Sequence, residues 1–416
     1  MRLSTLVTLG WPLFGLMLGI LPLLPNVRAQ DRTTEAAEAA IKDGTAECAP
    51  YYYAPVATRI SSFPVIWQPA QILPNDTNAE AKWSSIAPNV PSNMSVKGTI
   101  MGDFSTFTPT YSSSDTDCWW TYHQCVTPKF PGLPPDLVNV PEPHTLGYGF
   151  DDGPNCSHNA FYDYLANQKQ KATMFLVGSN VLDWPLEAQR VVADGHEICV
   201  HTWSHRYMTA LQSPDAFAEL YYIQIQAVKL VTGVTPTCWR APFGDIDDRI
   251  RAIAHGLGLR TIGWQYDSND WRAGTGNITP ADVDGNYYAL IAQANSGQFD
   301  TAGAIMLTHE LNNFTMSEAV KFYPQLKATF KHIVPMGVAM NHTQPYVEAN
   351  YSLPTFDEYI SGKTETKGPS ASDGGAIGKG VHNESKNGAM RRHELFSVPS
   401  RWLFLLGYVL VSLFAD

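Results

Sequence analysis

Between residues 144 and 340 short apolar runs alternate with longer stretches of helical period, and this alternation constrains the fold more than any other feature of the chain. The runs 144–150, 172–178, 197–201, 238–242, 259–266, 303–309 and 333–339 read as strands. The stretches 157–169, 184–194, 214–232, 246–256, 280–295 and 316–330 read as helices. Ser213-Pro214 and Thr279-Pro280 are good helix starts, because proline is pre-organised for the first helical turn. Strands that alternate with helices form a parallel sheet with the helices outside it. Six or seven such units within about 200 residues favour a barrel over an open sheet.

The flanks have a different character. Residues 30–140 are rich in Pro, Ser, Thr, Asn and aromatics with weak periodicity, and read as a loop-rich segment wrapping a main domain at 141–345. Residues 346–387 read as a tail followed by a stalk, whose part from 361 is polar and rich in Gly, Ser and Lys. Residues 1–29 carry Arg2, a long apolar run and a Val27-Arg28-Ala29 end, the pattern of a secretory leader cut after Ala29, with a signal anchor as the alternative. At the other end, Asn387-Gly388-Ala389 precedes a polar spacer and an apolar tail from Trp402 to Ala415, too short to span a bilayer. Small triplet, spacer and short apolar tail form a glycolipid (GPI) anchor signal. Asn387 is then the attachment residue and 388–416 are removed; a tail resting on a membrane surface is the alternative.

Composition adds limits. A net charge of −11 argues against nucleic acid as a partner. Eight Asn-x-Ser/Thr triplets follow the leader, at Asn75, Asn93, Asn155, Asn277, Asn313, Asn341, Asn350 and Asn383, and in a secreted chain they imply N-glycosylation. All six cysteines fall after the leader, and an even count in an oxidising compartment favours disulfides. Cys118 and Cys125 are close enough for a local loop, Cys156 and Cys238 are candidates to meet near the site, and Cys199 could be a buried free thiol. The expected location is therefore the outside of a eukaryotic cell, tethered to the membrane.

The reactive side chains fall in a pattern on this map. Asp151 and Asp152 follow the first strand in Gly149-Phe150-Asp151-Asp152-Gly153-Pro154, and His201 and His205 follow the third. Arg240 lies in the fourth, Asp267 and Asp270 follow the fifth, and His309 closes the sixth. Each sits at the C-terminal end of a strand, the end that carries the active site in an α/β barrel. Two histidines four apart plus a carboxylate from another strand give three ligands and leave a position open for water, as in a catalytic metal site. Alone, the histidines read as a surface pair and Asp-Asp-Gly-Pro as a turn; their joint occurrence at successive strand ends argues for a site.

These motifs, in this order over roughly 144–340, resemble carbohydrate esterase family 4, the polysaccharide deacetylases with the NodB-type domain. With its leader, triplets and anchor signal, the chain is most similar to the family's fungal chitin deacetylases of basidiomycete yeasts. The resemblance implies an α/β fold, a distorted, incomplete (β/α) barrel. It implies hydrolysis of the N-acetyl groups of chitin, an N-acetylglucosamine polymer, to chitosan and acetate. It assigns Asp151 as general base, Asp152, His201 and His205 as ligands of one divalent metal, and Arg240 as the group orienting the base. The backbone near Phe243 would face the oxyanion, Trp271 and Leu307 would wall the acetyl pocket, and His309, supported by Asp270, would be the general acid. Zinc suits two histidines and a carboxylate, and cobalt fits the same ligands.

Two positions depart from the family's usual pattern: Gly149 stands where threonine is frequent, and Glu310 where aspartate is. Trp119-Trp120 and Tyr51-Tyr52-Tyr53 read as core and wrapping contacts in preference to sugar-stacking groups. A glycan at Asn155 would crowd the cleft, so that triplet is expected to be unoccupied or turned outward. The competing functions are the same chemistry on xylan or peptidoglycan, and a non-catalytic wall-binding protein on the same fold. No protein partner is implied.

Overall fold

The structure, a computed structural model, describes residues 30–368. The leader at 1–29, most of the stalk, Asn383, Asn387 and the anchor signal therefore lie outside the described residues. Nine short strands form two parallel sheets: β1 (Thr145–Gly147), β2 (Gly149–Gly153), β3 (Thr173–Leu176), β4 (Glu197–Val200), β5 (Cys238–Trp239), β6 (Arg260–Thr261), β7 (Tyr266–Asp267), β8 (Ala304–Leu307) and β9 (His332–Val334). One sheet has the order β7-β8-β1-β9 and the other β2-β3-β4-β5-β6. Strands β3, β4 and β8 are buried along their whole length, as parallel strands covered on both faces must be. β1 and β2 are one stretch of chain that changes partners at Tyr148, whose N–H donates to Val334 O and whose carbonyl accepts from Thr173 N. A parallel bridge between Asp151 and His309 joins the sheets, and β6 and β7 do not pair. The result is the incomplete barrel that the alternation and the resemblance imply.

Several strand limits differ from the sequence reading, each for a physical reason. The run 259–266 does not form one strand, because the carbonyls of Ile262 and Gly263 accept from Nε and Nη2 of Arg240 at 3.2 and 3.3 Å. The run 333–339 stops at Pro335, which has no N–H to donate, and turns into a helical turn at Met336–Ala339. The helices stand close to their expected positions, at Asn159–Asn167, Pro185–Ala193, Asp248–Gly256, Pro280–Asn295 and Asn313–Thr329. The stretch 214–232 is helical throughout but passes through a π-helical segment at Tyr222–Val228.

The N-terminal segment is short helices and loops, yet it is part of the core. Val56, Phe63, Ala70, Ala79 and Ile86 are buried in the main apolar cluster. Lys97 is fully buried, with Nζ 2.5 Å from Asp247 and 2.7 Å from Asp117. Tyr51 donates to Glu187 at 2.5 Å and Tyr53 accepts from Gln189 at 2.7 Å, so the wrapping reading holds for both. Past the barrel, Leu353, Phe356 and Tyr359 of the tail are buried against the second apolar cluster. No helix among the described residues is long and apolar enough to cross a membrane.

The disulfides are Cys48–Cys156, Cys118–Cys125 and Cys199–Cys238. The local loop is as expected. Two other expectations are corrected: Cys199 is not a free thiol, and Cys156 does not meet Cys238. Cys199 and Cys238 lie on neighbouring strands β4 and β5, whereas Cys156 ties the catalytic strand's turn to the N-terminal segment.

Loop length ranks these cross-links. Cys48–Cys156 spans 108 residues and Cys118–Cys125 only 7. Replacing Cys48 and Cys156 together by serine should cost about 2–5 kcal/mol, read as a lower urea midpoint, and the Cys118/Cys125 pair should cost less. Equal midpoint shifts for the two pairs would show that chain closure is not what the longer bridge supplies.

Candidate active site

The residues expected to act together do come together, at the C-terminal ends of β2, β4, β5, β7 and β8. Asp151, Asp152, His201, His205 and His309 line one cleft of about 810 Å³ that also holds Phe243, Trp271 and Leu307; Arg240 and Asp270 are buried and bond to Asp151 and His309. Asp152, His201 and His205 present ligand atoms all within 4.8 Å of one another. Nε2 of His205 lies 3.0 Å and Nε2 of His201 3.6 Å from Asp152 Oδ1. That buried oxygen accepts no aligned hydrogen bond, so a cation would satisfy it. His201 Nδ1 pairs with the Arg240 carbonyl at 2.8 Å, which turns Nε2 toward Asp152. Burial pushes the His201 imidazole down to about 4 against the pull of Asp151, which leaves the neutral ring that metals require. Burial of Asp152 opposes its charge, but His205, His309 and His201 outweigh it and hold the carboxyl well below the usual range. The set fits a divalent cation.

The backbone around the triad is strained. Asp152, Thr202, His205, Phe243 and Asn269 all have positive φ. Side chains in that region cost free energy and persist where their surroundings over-determine them. Here the surroundings are hydrogen bonds: Asn180 Nδ2 donates to Asp152 O at 2.7 Å, and His205 N donates to Thr202 Oγ1 at 3.1 Å. Fully buried Glu219 accepts from Trp203 N, Ser204 N and Ser204 Oγ, and so clamps the loop between the two histidines. Asn180 and Glu219 carry no sequence signal that sets them apart from the other polar residues of their helices.

Beside the triad stand the expected base and acid. Asp151 is buried; its Oδ1 takes Nη1 of Arg240 at 2.6 Å, and its Oδ2 lies 3.7 Å from His201 Nε2. Arg240 thus occupies one carboxylate oxygen and leaves the other facing the triad. His309 Nδ1 pairs with Asp270 Oδ1 at 2.6 Å, and His309 N donates to Asp270 Oδ2 at 3.0 Å. Burial alone would depress this imidazole, but the Asp270 carboxylate outweighs it and pushes the group up to about 10. Asp267 lies on the same cleft wall.

The apolar walls follow. Leu307 is buried at the floor, while Phe243 and Trp271 are partly exposed. Phe243 stacks on Tyr207 at 4.0 Å and meets the edge of His205 at 4.7 Å. Trp119 is buried, as expected, but Trp120 lines the cleft against Trp264, so the pair does not act as core alone. Trp67 also lines the cleft and was not anticipated, because the segment around it has no period to read.

The two departures from the family pattern have local causes. A Cβ on Gly149 would lie 2.6 Å from Thr173 O, so a threonine would not fit there. The Glu310 carboxyl fills the space beside Gly153, where a Cβ would fall 1.4 Å from Oε1. Burial raises this carboxyl to about 8. Asn155 is half-buried, and its Nδ2 donates to Leu311 O at 2.7 Å; the remaining described Asn-x-Ser/Thr asparagines are exposed.

Asp151→Asn and His309→Ala should each abolish hydrolysis and leave metal content unchanged by elemental analysis; metal lost in Asp151→Asn would mean that the two aspartates have exchanged roles. Because Asp270 raises the His309 pKa, the imidazole stays protonated from its ordinary value up to about 10 and loses its proton above that. Asp270→Asn should therefore move the alkaline limb of the rate profile to lower pH. An unmoved limb would remove His309 as the group that titrates there.

Comparison with known proteins agrees with this geometry. The family described as polysaccharide deacetylase matches residues 139–262. Chitin deacetylase 2 of Cryptococcus neoformans var. grubii is 52% identical over 337 residues, covering 80% of this chain and 73% of the relative. The chitin deacetylase of Amylomyces rouxii is 44% identical over 315 residues, 74% of this chain and 73% of that one. The solved chitin deacetylase of Colletotrichum lindemuthianum aligns with a TM-score of 0.47 at 22% identity, over 51% of this chain and 96% of its own. Family match and extended identity place this chain in the polysaccharide deacetylase family.

Proposed function

We propose that the protein hydrolyses the N-acetyl groups of chitin, giving acetate and glucosamine units. One observation carries the chemistry. Asp151 and His309, a base and a protonated acid, are held in register beside the Asp152–His201–His205 triad and open into one cleft. The identity to chitin deacetylases over most of the chain carries the substrate.

An acetamide is a poor electrophile and its amine a poor leaving group. A divalent cation held by Asp152, His201 and His205 would supply the charge that polarises the carbonyl and acidifies water. Oδ2 of Asp151, the oxygen that Arg240 leaves free, takes the proton from the attacking water. His309 carries its proton into the reaction and gives it from Nε2 to the departing nitrogen, while Asp270 holds Nδ1 and stabilises the imidazolium. Phe243, in its left-handed turn, orients the backbone toward the forming oxyanion, and Trp271 and Leu307 enclose the methyl group. Two imidazoles and a carboxylate suit zinc, and cobalt is the second candidate.

We also propose that the enzyme works outside the cell, held by a glycolipid at Asn387. Three disulfides, exposed asparagines in the glycosylation triplets and the two terminal signals support this reading. Cleavage with a phosphatidylinositol-specific phospholipase should release activity from intact cells. Retention of all activity would argue against the anchor.

The substrate test is acetate release from chitin oligomers, acetylxylan and peptidoglycan, with and without a chelator and with zinc restored. Release from chitin oligomers, lost to the chelator and regained with zinc, is expected. Faster release from acetylxylan or peptidoglycan would reassign the polymer, and none from any substrate would point to a wall-binding role.

A further inference from the structure

Trp67 combines three properties seldom found together. It belongs to the N-terminal segment, well before residue 139 where the family match begins. The residue is 40% exposed and lines the cleft that holds Asp151 and His309. Its backbone has φ 63°, which for a bulky residue is a true outlier. Such a conformation persists only when neighbours impose it.

The neighbours are specific. Trp67 N donates to Ser179 Oγ at 2.8 Å, and its ring Nε1 donates to Asp183 Oδ2 at 3.0 Å. Its carbonyl accepts from Arg206 Nη2 at 2.9 Å, next to the metal ligand His205. Just upstream, Phe63 stacks on Trp203 at 5.9 Å, and Trp203 Nε1 donates to Val65 O at 3.1 Å. Residues 63–67 therefore strap the loop that carries His201 and His205, and the hydrogen bond through the ring fixes the plane of the indole. A large aromatic residue held in orientation and left partly exposed on a cleft wall has been spared from the core. A flat apolar face matches that of a pyranose ring, which presents C–H groups on its faces.

We propose that Trp67 is a stacking platform for a sugar unit of the same chain next to the one being deacetylated, so that the N-terminal segment sets the enzyme's preference for chain length. This rests on the chitin reading above. The cleft volume, about 810 Å³, lies toward the upper end of ligand sites and leaves room beyond the acetamido group.

The test uses the full-length, zinc-loaded protein and N-acetylglucosamine oligomers from dimer to hexamer. Trp67→Gly removes the ring while suiting the left-handed backbone. It should raise KM for the hexamer about tenfold with kcat within about twofold, the signature of lost uniform binding, and should raise KM for the dimer far less. Trp67→Phe, which restores a flat apolar ring, should recover most of the hexamer affinity. The inference is overturned if Trp67→Gly leaves the hexamer KM unchanged, or changes all lengths by the same factor. If Trp67→Gly loses metal or melts early, Trp67→Asn, which also tolerates positive φ, takes its place under the same criteria. Wild-type protein that releases acetate from no oligomer would overturn the chitin reading and this inference together. A normal wild type with an unaltered length profile in the variants would overturn the inference alone.

Discussion

Asp151 N donates to Thr308 O at 2.9 Å, and Glu310 N donates to Asp151 O at 3.0 Å. These two hydrogen bonds set Asp151 and His309, the proposed base and acid, side by side at a fixed register although they come from distant parts of the chain. Parallel pairing is the only local geometry that brings the C-terminal ends of two strands to the same edge. Around that edge the other strands deliver their own terminal residues: the triad from β2 and β4, Arg240 from β5, Asp270 from just beyond β7. The open side between β6 and β7 follows from the same arrangement, since Arg240 takes the carbonyls of Ile262 and Gly263 that a ladder would have used.

The site concentrates charge where water is scarce. Asp151, Arg240, Asp270 and His201 are all buried. Burying a charge is costly unless it is paired and its remaining polar atoms are satisfied. Here each has a partner: Asp151 with Arg240, Asp270 with His309, and Asp152 with two imidazoles. Asp152 Oδ1 lies near both imidazoles without an aligned hydrogen bond and is the atom a cation would take. The strained residues around the triad have the same logic. Asn180 and Thr202 hold Asp152 and His205, and Glu219 holds the loop between the two histidines.

The positions of the candidate site residues were legible in the sequence because they lie at or just beyond the ends of short apolar runs. Asp151, Asp152, His201, His205, Arg240, Asp270 and His309 all stand where their strands predicted. Other features depend on contacts that no local pattern encodes. The break between β6 and β7 is made by a side chain from β5. The end of β9 was foreseeable, since Pro335 cannot extend the ladder. The pairing of six cysteines was open, and Cys199 read as a thiol because an apolar strand does not announce which neighbour it will have. Trp67 was missed and Trp120 was read as core: their segment folds by docking onto the barrel, so its aromatics carry no period that separates cleft from core.

The order of strands has a consequence in time. β1 pairs with β8 and β9, which lie far downstream. Chains emerge from the ribosome N-terminal end first. The N-terminal segment, β2, β3 and β4 are therefore all synthesised before any partner for β1 exists, and with them the whole triad from Asp152 to His205. His309 and the bridge that aligns it with Asp151 come later. The nascent chain thus holds the three candidate metal ligands, Asp152, His201 and His205, well before it holds His309.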